Sequence, residues 1–337
     1  MESESVLSSD TIGKYNTSAT ICSKVYKHLK ELVISNQERN IKSLCDIGNQ
    51  MILTELSTIY KKNKDKNIAF PVCISLNNMI SNHTGEIVNS IKDTDIIKIK
   101  LGVSLCGCIS ILTETFIIKE NEPIQRVINF LDDISEDILE MIKHEETVDE
   151  VRIFIESKCT EQIVFPIPNC ISYQQEQSFI KTLDSKYMIL NHIAKYDMND
   201  YLLTEQNINF EFEEDDIFTI NLTVIPLEDD IEPNQVKYRI LDNSFIHRLN
   251  DINYSLKLKS SKEFYSKVKK EHSYYAFDIK KYLDNPKDRM GISECKKHNL
   301  LDVYDVTTVH NNLPVISKEF TIIIGKNNSK KLKYAKD

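Results

Sequence analysis

The chain has no tryptophan, only seven glycines in 337 residues, no CxxC pair, and no apolar run near the roughly eighteen residues of a membrane helix. Each scarcity excludes something. With so few glycines, none set in a phosphate-binding loop, a nucleotide cradle of backbone N–H groups is not expected. Without CxxC, the eight cysteines (22, 45, 73, 106, 108, 159, 170 and 295) read as free thiols of a core rather than as a zinc or redox centre. The CGC at 106–108 sets two thiols on a turn, too weak a signal for a metal. The start, MESESVLSSD, is acidic and polar with no apolar run behind it. Neither a signal peptide nor a membrane span is expected, and the chain is placed in the cytosol or nucleus. No two histidines stand at HxxxH or HxH spacing, and no metal or cofactor is expected.

What is present is ordinary globular material, 41% apolar and 28% charged, enough to bury a sizeable core. From Ser9 to about Ser35, the spacing of Ile12, Tyr15, Ala19, Cys22, Tyr26, Leu29 and Val33 predicts a long amphipathic helix. A second is predicted from about Ile41 to Tyr60. The run IAFPVCISLNN at 68–78 reads as a strand, with Pro71 implying an edge or a bulge. Residues 96–116, IIKIKLGVSLCGCISILTETF, alternate apolar and polar on both sides of a glycine-bounded turn and read as a β-hairpin. Helical patterns follow at 122–144 and 147–158, then the short strands QIVFPI and KYMIL. In the second half DDIFTINLTVI and KEFTIIIG read as strands, and 261–271 and 286–298 as helices. The class is α+β with two related halves, read as one domain over 1–337.

Charge is unevenly spread. The net charge of −9 argues against coating nucleic acid along the whole surface. Yet residues 257–297 hold twelve Lys or Arg against six Asp or Glu, so one local basic surface is plausible. A charge run of this kind is about equally often a helix's solvated face.

Several stretches together resemble the pita-bread fold of type 2 methionine aminopeptidases, and more closely its non-peptidase relative, the ErbB3-binding or proliferation-associated protein family. They are IAFPVCISLNN at 68–78, IIKIKLGVSLCG at 96–107, SLKLKSSKEFYSKV at 255–268 and, most specific, RMGISECKKHNLL at 289–301. The resemblance runs in order over about 10–325, is loosest over 120–205, and implies an insertion subdomain over about 228–300.

In the peptidases two metal ions sit between two Asp, a His and two Glu. The resemblance carries those five positions onto Lys100, Ile111, a site on or near Cys170, Asn221 and Glu319. A further substrate-contacting histidine falls on Asn82, with His83 one place beyond. Only Glu319 keeps the ligand type. A protonated lysine brings positive charge and no lone pair, so the resemblance implies a dismantled metal site and no hydrolase. Lys100 is expected to stand opposite Glu319 so that the carboxylate is not buried unpaired.

Family members are adaptors that dock on the large ribosomal subunit near the peptide tunnel exit. The resemblance therefore implies ribosomal RNA and tunnel-exit proteins as partners, no membrane, and a chain working as a monomer. Lys257, Lys259, Lys262, Lys267, Lys269 and Lys270 are the implied phosphate contacts, with a second loop at Lys61, Lys62, Lys64 and Lys66. The long lysine-rich tail of animal members is not matched here. From sequence three classes stay open: the silent ribosomal adaptor, a pseudopeptidase holding a peptide or protein tail in the old pocket, and a working aminopeptidase with a remodelled site.

Overall fold

Helix α1 (Ser9–Ile34) starts where the Ser8 hydroxyl accepts from Thr11 N at 3.1 Å, and α2 (Ile41–Thr58) where the Asn40 side chain caps Ser43 N. The computed structural model describes residues 7–167, 170–180, 185–188, 208–227, 236–252 and 254–334. Cys22, Val25, Leu29 and Val33 of α1, with Leu44, Ile52 and Leu56 of α2, bury the helices' apolar stripes against β1 (Lys66–Leu76), β2 (Ile96–Leu105) and β3 (Cys108–Ile117). The arrangement recurs in the second half. There α3 (Glu122–Met141) and α4 (Val148–Glu161) cover β7 (Ile217–Pro226) and β11 (Ile316–Ile323).

The remaining strands are β4 (Val164–Pro166), β5 (Ser172–Gln175), β6 (Tyr187–Met188), β8 (Tyr238–Leu249), β9 (Phe277–Asp278), β10 (Leu301–Val309) and β12 (Lys330–Lys331). Among the described residues nine strands form one antiparallel sheet, ordered β1-β2-β3-β11-β7-β5-β6, with β4 beside β7 and β12 beside β11. Pro71 lies in the edge strand β1 at a register shift between Phe70 and Cys73, meeting both halves of its expectation. The β2–β3 hairpin closes through Cys106 and Gly107, both at positive φ, as a two-residue turn requires. The run KYMIL lies partly outside the described residues; Tyr187 and Met188 are its strand.

The halves meet where β3 pairs β11 at two positions, Thr113 with Glu319 and Leu112 with Phe320. Beyond them the ladder parts, and Tyr334 fills the gap. Its hydroxyl donates to Ile111 O at 2.8 Å and accepts from Thr321 N at 2.9 Å. Each strand's freed backbone group thereby finds a partner.

A second sheet, ordered β10-β8-β9, carries α5 (Lys259–His272) and α6 (Pro286–Lys297) on one side. Its strand β10 runs to Val309, so this unit extends past residue 300; residues 228–235 lie outside the described residues. Gly291 lets the two helices touch, since a Cβ there would stand 2.5 Å from Phe264 Cβ.

Candidate functional site

Register places one residue of each central strand in a row across the face turned away from the helices: Lys100 on β2, Thr113 on β3, Glu319 on β11 and Asn221 on β7. Glu319 is the hub. Lys100 Nζ lies 2.9 Å from its Oε2, Asn221 Nδ2 donates to Oε1 at 2.8 Å, and the Thr113 hydroxyl donates to Oε2. Thr223 Oγ1 donates to Asn221 Oδ1 at 2.7 Å and so fixes which way that amide faces. The Lys100 and Glu319 side chains are 13% and 3% exposed, so this pair is buried and has all its charge matched. Burial alone would push the Lys100 ammonium down, but Glu319 outweighs it and holds the group above the ordinary lysine value. The ammonium also lies 4.8 Å from the centre of the Phe70 ring.

Ile111 is fully buried beside this row, in a cluster with Phe70, Tyr173 and Tyr275. It faces the row because it pairs with Gly102, two residues on from Lys100. Cys170 does not join the row. The residues that pack toward this cluster are Ile171 and Tyr173, while Cys170 lies with Ile167, Ile225 and Val315 in a separate cluster. The position expected on or near Cys170 is thus not held by Cys170 itself: Ile171 and Tyr173, just past it, pack in the cluster that holds Ile111. Asn82 is also elsewhere, its Nδ2 donating to Asp305 O at 3.0 Å. His83 is a structural staple. Its Nδ1 bonds Ile74 O at 2.9 Å, and Nε2 accepts from Ile87 N and Val88 N, a neutral pattern that agrees with burial pushing its pKa down. Thr113, Phe70 and Tyr173 were missed from sequence; the hairpin register offered the signal for Thr113, directly opposite Lys100.

The lysines divide by environment. On α5 the buried side is Ser261, Phe264 and Val268, and Lys259, Lys262, Lys267, Lys269 and Lys270 fall on the remaining, exposed surface. Lys267 pairs with Asp288 at 3.0 Å and Lys259 stands 3.8 Å from Glu263. Lys257, exposed, precedes the helix. Lys61, Lys62 and Lys64 are exposed in the loop before β1, while Lys66 turns back to Ile59 O. The two elements adjoin: Asn67 Nδ2, just past the loop, donates to Glu271 O, near the end of α5, at 3.2 Å.

Two helix pairs backing a pseudo-symmetric antiparallel sheet, with a row of polar side chains on the face away from the helices, define the pita-bread class. Residues 14–246 match the model of metallopeptidase family M24, and the chain belongs to that family. It is 25% identical to the Curved DNA-binding protein of Schizosaccharomyces pombe over 307 residues, 88% of this chain and 76% of the relative. It is 24% identical to Proliferation-associated protein A of Dictyostelium discoideum, over 95% of this chain and 81% of the relative. The solved structure of a thermophilic Arx1 superposes with a TM-score of 0.79 at 19% identity, covering 98% of this chain and 93% of that one.

The family name implies metal, and the residues here do not fit it. Glu319 is already matched by an ammonium and two neutral donors, and Ile111 offers carbon alone. Among the described residues no three His, Cys, Asp or Glu side chains gather where a metal could be held.

Proposed function

We propose that this chain is a catalytically silent adaptor that docks on the large ribosomal subunit near the peptide tunnel exit, in the cytosol or nucleus, through ribosomal RNA and neighbouring proteins. The carrying observation is the junction of its two basic elements. The end of α5 and the strand that follows the 61–64 loop touch at the Asn67–Glu271 bond, so two elements bearing exposed lysines adjoin on a chain whose net charge is −9. Such a surface neutralises backbone phosphates locally without reading sequence. The likeness to the proliferation-associated proteins supports this reading, as does a relative named for binding DNA. The silent centre supports it from the other side, because Lys100 stands against Glu319 where a peptidase of this fold needs carboxylates.

The test is co-sedimentation with purified large subunits over a salt series, beside a variant with Lys257, Lys259, Lys262, Lys267, Lys269 and Lys270 changed to Glu. With about five phosphates neutralised, affinity should fall several hundred-fold over a roughly fourfold rise in salt, and the variant should not bind. Binding that ignores salt, or survives in the variant, sinks the reading. Turnover of a Met-peptide by the purified protein would revive the peptidase.

One observation favours a peptide-holding pocket as a second reading. The Tyr304 hydroxyl is buried without a hydrogen-bond partner, and its ring packs edge-on against Phe70 at 4.9 Å, the same ring that Lys100 covers. A buried hydroxyl left unmet is a donor that suits a carboxylate. N-acetylmethionine raising the melting temperature where its amide does not would support this reading.

A further inference from the structure

Four segments are tied together around the β2–β3 turn. Cys106 N donates to Asp65 O at 2.7 Å, Asn63 Nδ2 reaches Cys106 Sγ at 2.8 Å, Gln177 Nε2 donates to Cys106 O at 3.1 Å and Ser178 N to Gly107 O at 3.0 Å. The 61–66 loop, the β2–β3 turn and the 176–179 turn thus form one continuous surface. It continues to the end of α5 through the Asn67–Glu271 bond and through Ala276 N, which donates to Ala69 O at 3.0 Å.

On this surface Phe179 and Tyr274 stack, ring centres 4.7 Å apart and planes 28° from parallel. Both are half-buried. Phe179 belongs to none of the hydrophobic clusters, and Tyr274 is its one ring partner among the described residues. Core packing therefore does not account for it. Tyr274 is held rigidly: its hydroxyl donates to Asp251 Oδ1 at 2.7 Å and accepts from Lys269 Nζ at 2.6 Å. Lys269 also lies 5.9 Å from the Tyr265 ring, a third half-buried aromatic. Acids are present as well, Asp65 in the loop, Glu176 in the turn, Asp251 at the Tyr274 hydroxyl and Glu271 at the helix end, against five exposed lysines, Lys61, Lys62, Lys64, Lys269 and Lys270.

A fixed aromatic pair edged by ammonium groups is what an unpaired nucleobase binds, because every base has a π-face and the phosphates beside it need cations. We infer that Phe179 and Tyr274 form a stacking platform for a single unpaired nucleotide of a structured RNA, whose flanking duplex lies on the lysines of α5 and the 61–64 loop. The inference rests on the RNA-docking reading and adds to it a specific element: the preferred ligand is a helix interrupted by a bulged base.

The test uses the full chain and two RNA hairpins of one stem sequence, one fully paired and one with a single bulged adenosine, read by fluorescence anisotropy at fixed salt. The bulged hairpin should bind about 5- to 100-fold more tightly, the range that stacking of one base supplies. Phe179→Ala should remove that preference while leaving the paired hairpin's affinity unchanged, which also certifies the variant's fold. Phe179→Tyr should keep the preference. If wild type binds both hairpins equally and Phe179→Ala changes nothing, the platform is overturned and the lysine surface stands. If wild type binds neither at low salt, the RNA-docking reading falls and the platform with it.

Discussion

Lys100 and Glu319 face each other from β2 and β11 across the intervening strand β3, 2.9 Å apart, each registered with the same residue, Thr113. An ammonium paired to a carboxylate in this position makes the centre of the fold self-sufficient. Charge is balanced internally, and the hydroxyl and amide on either side complete the carboxylate's hydrogen bonds.

The first prediction follows from that pairing. Lys100→Met leaves the buried Glu319 carboxylate without its cation and should cost about 3–5 kcal/mol, the scale for breaking one side of a buried ion pair. The double variant Lys100→Met with Glu319→Gln removes both charges and should recover most of the loss. Urea denaturation of the three proteins measures this. A single variant as stable as wild type would mean the pair carries no net burden.

The seam between the halves gives a second prediction. Tyr334→Phe takes away the one group that serves Ile111 O and Thr321 N together, and both are left facing a ring edge. An unmet buried donor or acceptor costs about 1–3 kcal/mol. The melting temperature should fall, and amide exchange at Thr321 should quicken more than at Phe320, which retains its strand pairing. Unchanged exchange at Thr321 would show that water replaces the hydroxyl.

The sequence disclosed the helices within a few residues, because their apolar stripes keep the 3.6-residue period and Ser8, Asn40 and Thr147 supply side-chain caps. The β2–β3 hairpin and the edge character of β1 were legible from alternation and from Pro71. The strands β8 and β10 were not. Their exposed positions carry Ile240 and Val303, 61% and 44% exposed, so the apolar alternation that marks a strand is blurred. Lys100 and Glu319 were named as opposed from family likeness, yet Thr113, Phe70 and Tyr173 emerged only from register and packing between segments far apart in the chain. The position set on or near Cys170 could not be fixed to one residue, because the chain there precedes β5 and has no strand period to say which side chain turns toward Ile111.

Acid should act first on the second sheet and its helices. Burial pushes His272 down to about 4, with Lys281 adding and Glu271 opposing, and burial likewise pushes His247 to about 4. Unfolded, each protonates near pH 6.5. Between about 6.5 and 4 the unfolded state holds more protons, so stability rises with pH there and is lost as pH falls through that window. The loss is on the order of 3 kcal/mol for each histidine. Urea midpoints at pH 7, 5.5 and 4.5 should decline, and His272→Gln should flatten the slope by about one proton. A slope equal to that of wild type would place the titration elsewhere.

The last prediction joins the motif at 289–301 to the lysine surface. Gly291 is buried on α6 where the helix crosses α5, and an added Cβ would meet Phe264 Cβ at 2.5 Å, far inside contact distance. Phe264 is itself fully buried among Val268, Phe277 and Tyr282, so it has nowhere to retreat. Gly291→Ala should therefore push α5 outward at a cost of about 1–3 kcal/mol, the usual penalty of overpacking. Because α5 carries five of the lysines, binding to large ribosomal subunits should weaken although no charge has changed. Salt dependence should become shallower as fewer lysines reach phosphate together. Paired measurements of melting temperature and co-sedimentation decide it. A lower melting temperature with unaltered binding would separate the helix contact from the docking surface, and no change in either would show that the two helices part without strain.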